Sequence, residues 1–277
     1  MINPYNMLYI YYFDGVPFVD GVIQNNETFL GTWVEEEIAF LFFSSSSDDM
    51  VEKILKQNKG ICLVEKYEMT GEQWHGDKIE PYYIKDLCIC PPWNKPWNKP
   101  AENNGTTKKI LLDPGVVFGT GRHQTTEDCL DLIHRLCTEN RIESVLDIGT
   151  GTGLLSLGAA ALDCKQVMAC DFNRLAVKTT LNNIRLNRFE DRILAFQARG
   201  EEIMGIACDL LVANIHYDVM RHMIESPFLF EKKWFILSGL LNSEAKKVLA
   251  SLSCKNVYII ERRCLDGIWN TILGKRA

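Results

Sequence analysis

The 277 residues carry a net charge of −6 and 47% hydrophobic side chains, enough to bury a sizeable core and long enough for two domains. That balance argues against the basic stripe of a nucleic-acid enzyme, so no direct nucleic-acid binding is expected, and it suits a basic partner somewhat better. The ten cysteines form no C-x-x-C pair and no zinc-type Cys/His spacing, the N-terminus lacks a signal-peptide pattern, and no apolar run reaches the ~18 residues of a membrane span; the expectation is a cytoplasmic protein with no membrane segment, no metal and free, mostly buried thiols.

Met7 to Phe13 and Glu37 to Phe43 are rich in aromatic and aliphatic residues and read as strands. The serine run Ser44 to Ser47 followed by Asp48 and Asp49 suits a helix start. Met50, Ile54 and Leu55 recur at helical spacing, and Gly60 closes the stretch. Ile61 to Val64 reads as another strand. Residues 1–90 are therefore expected to form a small α+β domain. Residues 91–108 read as a linker. There Trp-Asn-Lys-Pro occurs twice, from Trp93 and from Trp97, and Glu102-Asn103-Asn104-Gly105 signals a turn. The paired tryptophans suit packing of that linker against a domain better than a binding platform.

Residues 109–277 alternate between helical and strand patterns. Thr125 to Cys137 places Cys129, Leu132, Ile133 and Leu136 on one helix face. Ser144 to Ile148, Gln166 to Cys170, Ile193 to Phe196, Asp209 to Ala213 and Trp234 to Leu237 read as strands. Leu154 to Leu162, Asn173 to Asn187, Tyr217 to Ile224 and Ser243 to Leu252 read as helices. This order predicts an α/β domain with a mostly parallel sheet covered on both faces. Asn256 to Glu261 and Ile268 to Leu273 are joined by only a short link, which predicts an antiparallel last strand.

Three segments carry chemistry. Gly149, Gly151 and Gly153 follow a strand directly and precede a helix directly, where the backbone turns tightly and approaches a ligand at the carboxyl ends of the strands. The spacing is not the G-x-G-x-x-G of dinucleotide loops, and the Gly-Lys-Ser/Thr of a Walker loop is absent. Asp171 ends the next strand, where its carboxylate either accepts both ribose hydroxyls of a nucleoside cofactor or caps the helix from Asn173. Asp113 to Thr126 is a Gly/Thr-rich segment around Phe118. It reads either as a lid, with Phe118 over an aromatic ring and Thr126 donating a hydroxyl hydrogen bond, or as a flexible loop capped by threonine. Val212-Ala213-Asn214-Ile215 ends a strand, so the Asn214 amide either faces the crevice and orients an amine or starts an Asx turn.

Val145-Leu146-Asp147-Ile148-Gly149-Thr150-Gly151-Thr152-Gly153 resembles the first motif of class I methyltransferases. Asp113-Pro114-Gly115, Phe118-Gly119-Thr120-Gly121, His123, Thr125 and Thr126 resemble the D-P-G-x-A-F-G-T-G-x-H-x-T-T signature of PrmA-type enzymes, which methylate amines on large-subunit ribosomal protein eleven. Ser238-Gly239-Leu240-Leu241, Trp269 and Gly274-Lys275 extend the likeness over residues 74 to 277. It implies a class I methyltransferase (Rossmann-like) fold and S-adenosyl-L-methionine as methyl donor. It also implies a protein substrate, with a ribosomal protein first among the candidates and residues 1–90 recognising it. The implied cofactor contacts are Phe118, Thr126, Gly149, Gly151, Asp171 and Asn214, with Glu201 toward the adenine amine.

Asn214 would also position the acceptor amine. His216 and Tyr217 stand where the family has Leu-Ala and would close the acceptor pocket or take a proton; the plainer reading of His216 is a helix-start residue facing solvent, and His222 reads as a surface residue. Glu244 replaces a glutamine of the family, the Arg262 to Gly267 link is shorter than usual, and the first 70 residues show no clear match. Three functions follow as expectations: methylation of that ribosomal protein, methylation of a different protein or a small molecule, and cofactor binding without catalysis. Nucleic-acid amine methylation lacks its Asn-Pro-Pro-Tyr/Phe motif here. Oligomeric state is left open.

Overall fold

The computed structural model describes residues 3, 5–19, 21–23, 26–76, 78–94 and 107–277. The chain divides into two units, Met1–Glu80 with Pro114–Phe118, and Pro81–Asp113 with Gly119–Ala277.

In the first unit, β1 (Leu8–Asp14), β2 (Phe29–Glu35), β3 (Ile38–Phe43) and β4 (Cys62–Met69) form an antiparallel sheet in the order β2-β3-β1-β4. Tyr11 and Phe13 oppose Leu41 and Ala39 in register, and with Phe43 they share the face covered by Val51 and Ile54 of α1 (Asp48–Gln57), as the two-residue period of strands requires. The start of α1 is tied down by Tyr11, whose hydroxyl accepts from the Ser47 amide and donates to Asp48, 2.9 Å each. Sequence patterning did not show β2, whose pairing with β3 slips between Phe29 and Gly31; a bulge breaks the alternation that identifies a strand. Nor did it show α2 (Gly71–His75), a single turn closed by a Thr70–Gln73 capping box. Phe42 packs edge-to-face on Trp74 at 5.1 Å, and the Trp74 indole donates to the Val116 carbonyl at 2.9 Å. That bond and the burial of Val116 and Val117 put residues 114–118 in this unit.

The second unit begins earlier than the boundary expected at residue 90. β6 (Leu87–Cys90) pairs antiparallel with β5 (Tyr82–Ile84) on one side and parallel with β7 (Lys108–Leu111) on the other, and Leu87, Ile89 and Ile110 join the core formed by the helices that follow. Of the expected linker, residues 95–106 lie outside the described residues, and with them Trp97 and the second half of the tandem echo.

The remainder alternates: α3 (Gln124–Glu139), β8 (Ser144–Ile148), α4 (Leu154–Ala161), β9 (Gln166–Asp171), α5 (Arg174–Asn187), β10 (Ile193–Gln197), β11 (Leu210–Asn214), α6 (Tyr217–Glu225), β12 (Trp234–Leu241), α7 (Asn242–Ser253), β13 (Val257–Leu265) and β14 (Trp269–Arg276). The seven strands order as β10-β9-β8-β11-β12-β14-β13. All pairings are parallel except those of β14, which runs antiparallel to β12 and β13. This is the expected Rossmann-like sheet with its antiparallel last strand. One face is covered by α3, α4 and α5 and the other by α6 and α7. The stripe Cys129, Leu132, Ile133 and Leu136 is buried as its spacing requires, each Leu or Ile contributing roughly 1.5–3 kcal/mol. Among the described residues no helix is long and apolar enough to cross a membrane.

Candidate active site

Chain order reverses between β8 and β11 in the sheet, and such a switch point opens a crevice at the carboxyl ends of the strands. The glycine loop leaves β8 there. Gly149, Gly151 and Gly153 have φ of +72°, +57° and +85°, a region side chains disfavour. A Cβ on Gly149 would collide with Ile215, and one on Gly153 would come within 2.9 Å of Thr180. The amides of Gly149 and Thr150 both donate to the Cys170 carbonyl at 2.9 Å, fixing the turn to β9.

Several supports of this loop were not read from sequence. Thr180 on α5 donates to the Gly151 carbonyl at 2.9 Å, Thr152 donates to the Gly119 carbonyl at 2.7 Å, and the Asn183 amide donates at 2.8 Å to the carbonyls of Thr152 and Asp113. Thr180 and Asn183 are fully buried. Polar residues on the inward face of a helix, three apart, were the available signal.

Asp171 connects the loop to α5. Its Oδ2 accepts from the Gly151 amide at 3.0 Å and its Oδ1 from the Asn173 amide at 2.9 Å. Asn173, not Asp171, is the helix cap, accepting from the Leu175 amide. Burial pushes the Asp171 carboxyl above its ordinary value against these amide bonds. Below it, Asp147 accepts from Thr150 and Ser156 at 2.6 and 2.7 Å on one oxygen. Its other oxygen has no partner among the described residues, and burial pushes its pKa up to about 6.

Asn214 closes β11 beside the loop, and its Nδ2 donates to Thr126 Oγ1 at 3.3 Å. The threonine hydroxyl, expected as a donor, thus accepts here. Asn214 lies opposite Ser238 in register. The next residue, Gly239, has φ +81°, and a Cβ there would stand 2.9 Å from the Ile215 carbonyl and 3.1 Å from Asn214 Oδ1; only glycine lets β12 pass so close to the Asn214 side chain.

His216 is the exposed residue before α6, with no capping bond from its side chain. Tyr217 opens α6, half-buried, with the Lys247 ammonium 5.3 Å from its ring centre. Thr126, Gly149, Gly151, Asp171, Asn214, His216 and Tyr217 thus all belong to the second unit. Phe118 belongs to the first, set against Trp33 at 6.1 Å and Trp74 at 6.3 Å. Glu201 pairs with Arg199 at 4.0 Å, and His222 is exposed.

Behind Asn214 runs a buried polar chain that patterning also missed. Ser238 and Thr271 hydroxyls meet at 2.6 Å, Thr271 bonds Asp128 on α3 at 3.2 Å, and the chain ends at the partly exposed Arg263, 3.7 Å from Asp128 and 2.7 Å from Asp131. At the start of α3, the His123 ring meets Thr125 Oγ1 at 2.7 Å and packs edge-to-face on Trp269 at 5.1 Å. Glu244 accepts from the Leu241 amide at 2.7 Å, so it serves the start of α7 as a glutamine would.

The sequence pattern of the family described as ribosomal protein L11 methyltransferase (PrmA) matches residues 22–277, starting upstream of the point that motifs alone reached. The chain is 34% identical over 193 residues to a ribosomal protein L11 methyltransferase of Lactococcus lactis, covering 69% of this chain and 59% of that relative. It is 32% identical over 226 residues to one of Streptococcus equi, covering 78% of this chain and 68% of that relative. The chain therefore spans less than two thirds of the lactococcal protein's length. A crystal structure of ribosomal protein L11 methylase from Lactobacillus delbrueckii superposes with a TM-score of 0.62 at 26% identity, over 71% of this chain and 98% of that one.

Proposed function

The chain belongs to the ribosomal protein L11 methyltransferase (PrmA) family, and from that premise we propose that it transfers the methyl group of S-adenosylmethionine to amino groups of a large-subunit ribosomal protein in the cytoplasm. The observation that carries this reading is Asn214, oriented by Thr126 at the switch point beside a glycine loop that is bonded to Asp171.

These residues fit the cofactor. A loop of three left-handed glycines admits close backbone approach, and a carboxylate oxygen that has accepted one amide retains a lone pair for a ribose hydroxyl. Gly149, Gly151 and Asp171 would hold the nucleoside. Bound there, S-adenosylmethionine supplies an already activated methyl group on a sulfonium. The protein's task is to position the nucleophile and exclude water. With its Nδ2 on Thr126, Asn214 keeps Oδ1 for an N–H of the acceptor, which aims the nitrogen lone pair. A lysine amine, pKa near 10.4 in water, must first lose a proton; desolvation in the crevice lowers that value. His216, exposed beside Asn214 in sequence, takes the proton or passes it to solvent, and Tyr217 lines the acceptor side.

Charge supports a basic protein acceptor. Residues 1–80 hold five lysines and no arginine against fourteen acidic residues, a net −9, while the rest of the chain carries +3 of the total −6. An acidic unit attracts a basic protein surface and repels nucleic acid. We assign residues 1–80, the acidic part of the first unit, to substrate recognition on that ground. His216 and Tyr217, where relatives have Leu-Ala, favour a second reading in which the acceptor is another basic protein. Mass spectrometry of proteins from cells with and without this enzyme tests both: methylation lost from ribosomal protein L11 supports the first, loss from another protein the second, and no change in any protein contradicts both.

A further inference from the structure

Ten thiols are free, and two of them touch. Cys137 lies in the last turn of α3 and Cys164 in the turn between α4 and β9. Their sulfurs are 3.6 Å apart across 27 residues of chain. A disulfide needs an approach to about 2.05 Å, a shift of roughly 1.5 Å, within reach of side-chain rotation at a helix end. We propose that Cys137 and Cys164 form an oxidisable dithiol, a modification site that closes to a disulfide when the protein meets a peroxide.

The two cysteines are unequal in a way that assigns their parts. Cys137 is partly buried and Cys164 fully buried, so Cys137 is the more accessible of the two and peroxide reaches it first. The Cys137 thiol is held below its usual range by the hydrogen bond from Cys164 and, against the opposing effect of burial, by the nearby Lys108 ammonium. That ammonium is fixed in place, donating to the Ala161 carbonyl at 2.8 Å and to Asp163 at 3.1 Å. Cys164 is pushed the other way by its neighbour and by burial, so it waits as the protonated partner, its thiol also within 3.4 Å of the Ile142 carbonyl.

The step balances. The Cys137 thiolate attacks one peroxide oxygen and the O–O bond breaks; hydroxide leaves and takes up a proton to become water, and Cys137 is a sulfenic acid. The Cys164 sulfur then attacks the Cys137 sulfur. The S–O bond breaks, the oxygen leaves as a second water carrying the Cys164 proton, and the S–S bond forms. Two thiols are oxidised by two electrons and one peroxide is reduced to two waters. Because Cys164 is already in contact, the sulfenic acid is captured before it can proceed to the irreversible sulfinic acid. The bridge ties the end of α3 opposite to Thr125 and Thr126, so it protects the fold without touching the groups that hold the acceptor.

The test is peroxide treatment of the full chain, alkylation of remaining thiols, and peptide mapping without reductant. The expected result is a peptide pair joined through Cys137 and Cys164, lighter by two hydrogens and separated by a thiol reductant. In Cys164→Ser the expected product is a sulfinic Cys137, and in Cys137→Ser the pair stays unbridged. A wild-type map in which Cys137 remains a thiol, or becomes sulfinic with Cys164 free, overturns the proposal. The wild-type map decides alone, so a variant that fails to fold leaves the test intact.

Discussion

Asn214 donates from its side-chain amide to the hydroxyl of Thr126 across 3.3 Å, joining two residues 88 positions apart. The bond links the end of β11 to the start of α3 and leaves the amide carbonyl for the proposed acceptor amine. Replacing Thr126 by valine keeps the shape and removes the acceptor of that bond. Turnover is expected to fall about tenfold, equivalent to ~1.4 kcal/mol, with cofactor affinity changed less than about threefold; Thr126→Ser restores the rate. Methyl-transfer kinetics and calorimetry side by side check this, and equal losses in both would make Thr126 and Asn214 cofactor contacts alone.

Asp171→Ala removes the acceptor of two backbone amides, those of Gly151 and Asn173, and the proposed ribose contact. Cofactor affinity is expected to fall by roughly 100-fold, ~2.7 kcal/mol. Calorimetry of the folded variant reads this directly, and an unchanged dissociation constant rejects the ribose assignment.

Gly239→Ala combines a left-handed backbone with a Cβ 2.9 Å from the Ile215 carbonyl. The expected cost is about 1–3 kcal/mol of stability, read as a lower urea midpoint. The displaced Asn214 should also slow turnover in whatever fraction remains folded. A variant as stable and active as the wild type would mean that β12 passes Asn214 less closely than described.

The Asp147 carboxyl, raised by burial from its ordinary 3.8 to about 6, gives stability a pH dependence of definite sign. A raised pKa favours the protonated folded form, so this group's contribution is full below about pH 4 and is lost as pH rises to about 6. The loss is about 3 kcal/mol in all. Asp48, lowered to about 2 by the hydroxyl of Ser46, by Lys66 and by Tyr11, acts in the opposite direction and below that window. Stability read by urea unfolding between about pH 4 and pH 7 should fall less steeply in Asp147→Asn than in the wild type, where Asp171, raised by burial, adds to the decline and His75, lowered by burial, opposes it. Parallel profiles would exclude Asp147 as its source.

Much of the second unit was legible because strand and helix periods alternate cleanly from Gln124 onward, and because Gly149, Asp171 and Asn214 each fall at or just past a strand end, where topology alone places a residue beside the crevice. What was not legible depends on tertiary partners. β2 hides behind a bulge. β5 to β7 are too short for a period, and their pairing across residues 95–106 is non-local. Thr180, Asn183 and Thr271 look like ordinary polar residues until the carbonyls and carboxylates they meet are in place. The end of the first unit was read at a proline-rich change of composition, whereas packing of Leu87 and Ile89 sets it ten residues earlier, after Glu80. The Gly/Thr-rich pattern around Phe118 suggests a lid over an aromatic ring or a flexible loop, and nothing in that pattern points to the rings it meets in the structure, Trp33 and Trp74.

The central claim, methyl transfer to an amine of a ribosomal protein, is tested most directly with cofactor labelled in its methyl group and purified ribosomal protein L11. The account predicts label in that protein with the wild-type enzyme, located on amino groups by mass spectrometry, and none with Asn214→Ala although the variant still binds cofactor. Cofactor binding by the wild type with no label entering that protein, under conditions where a known relative labels it, would contradict the account.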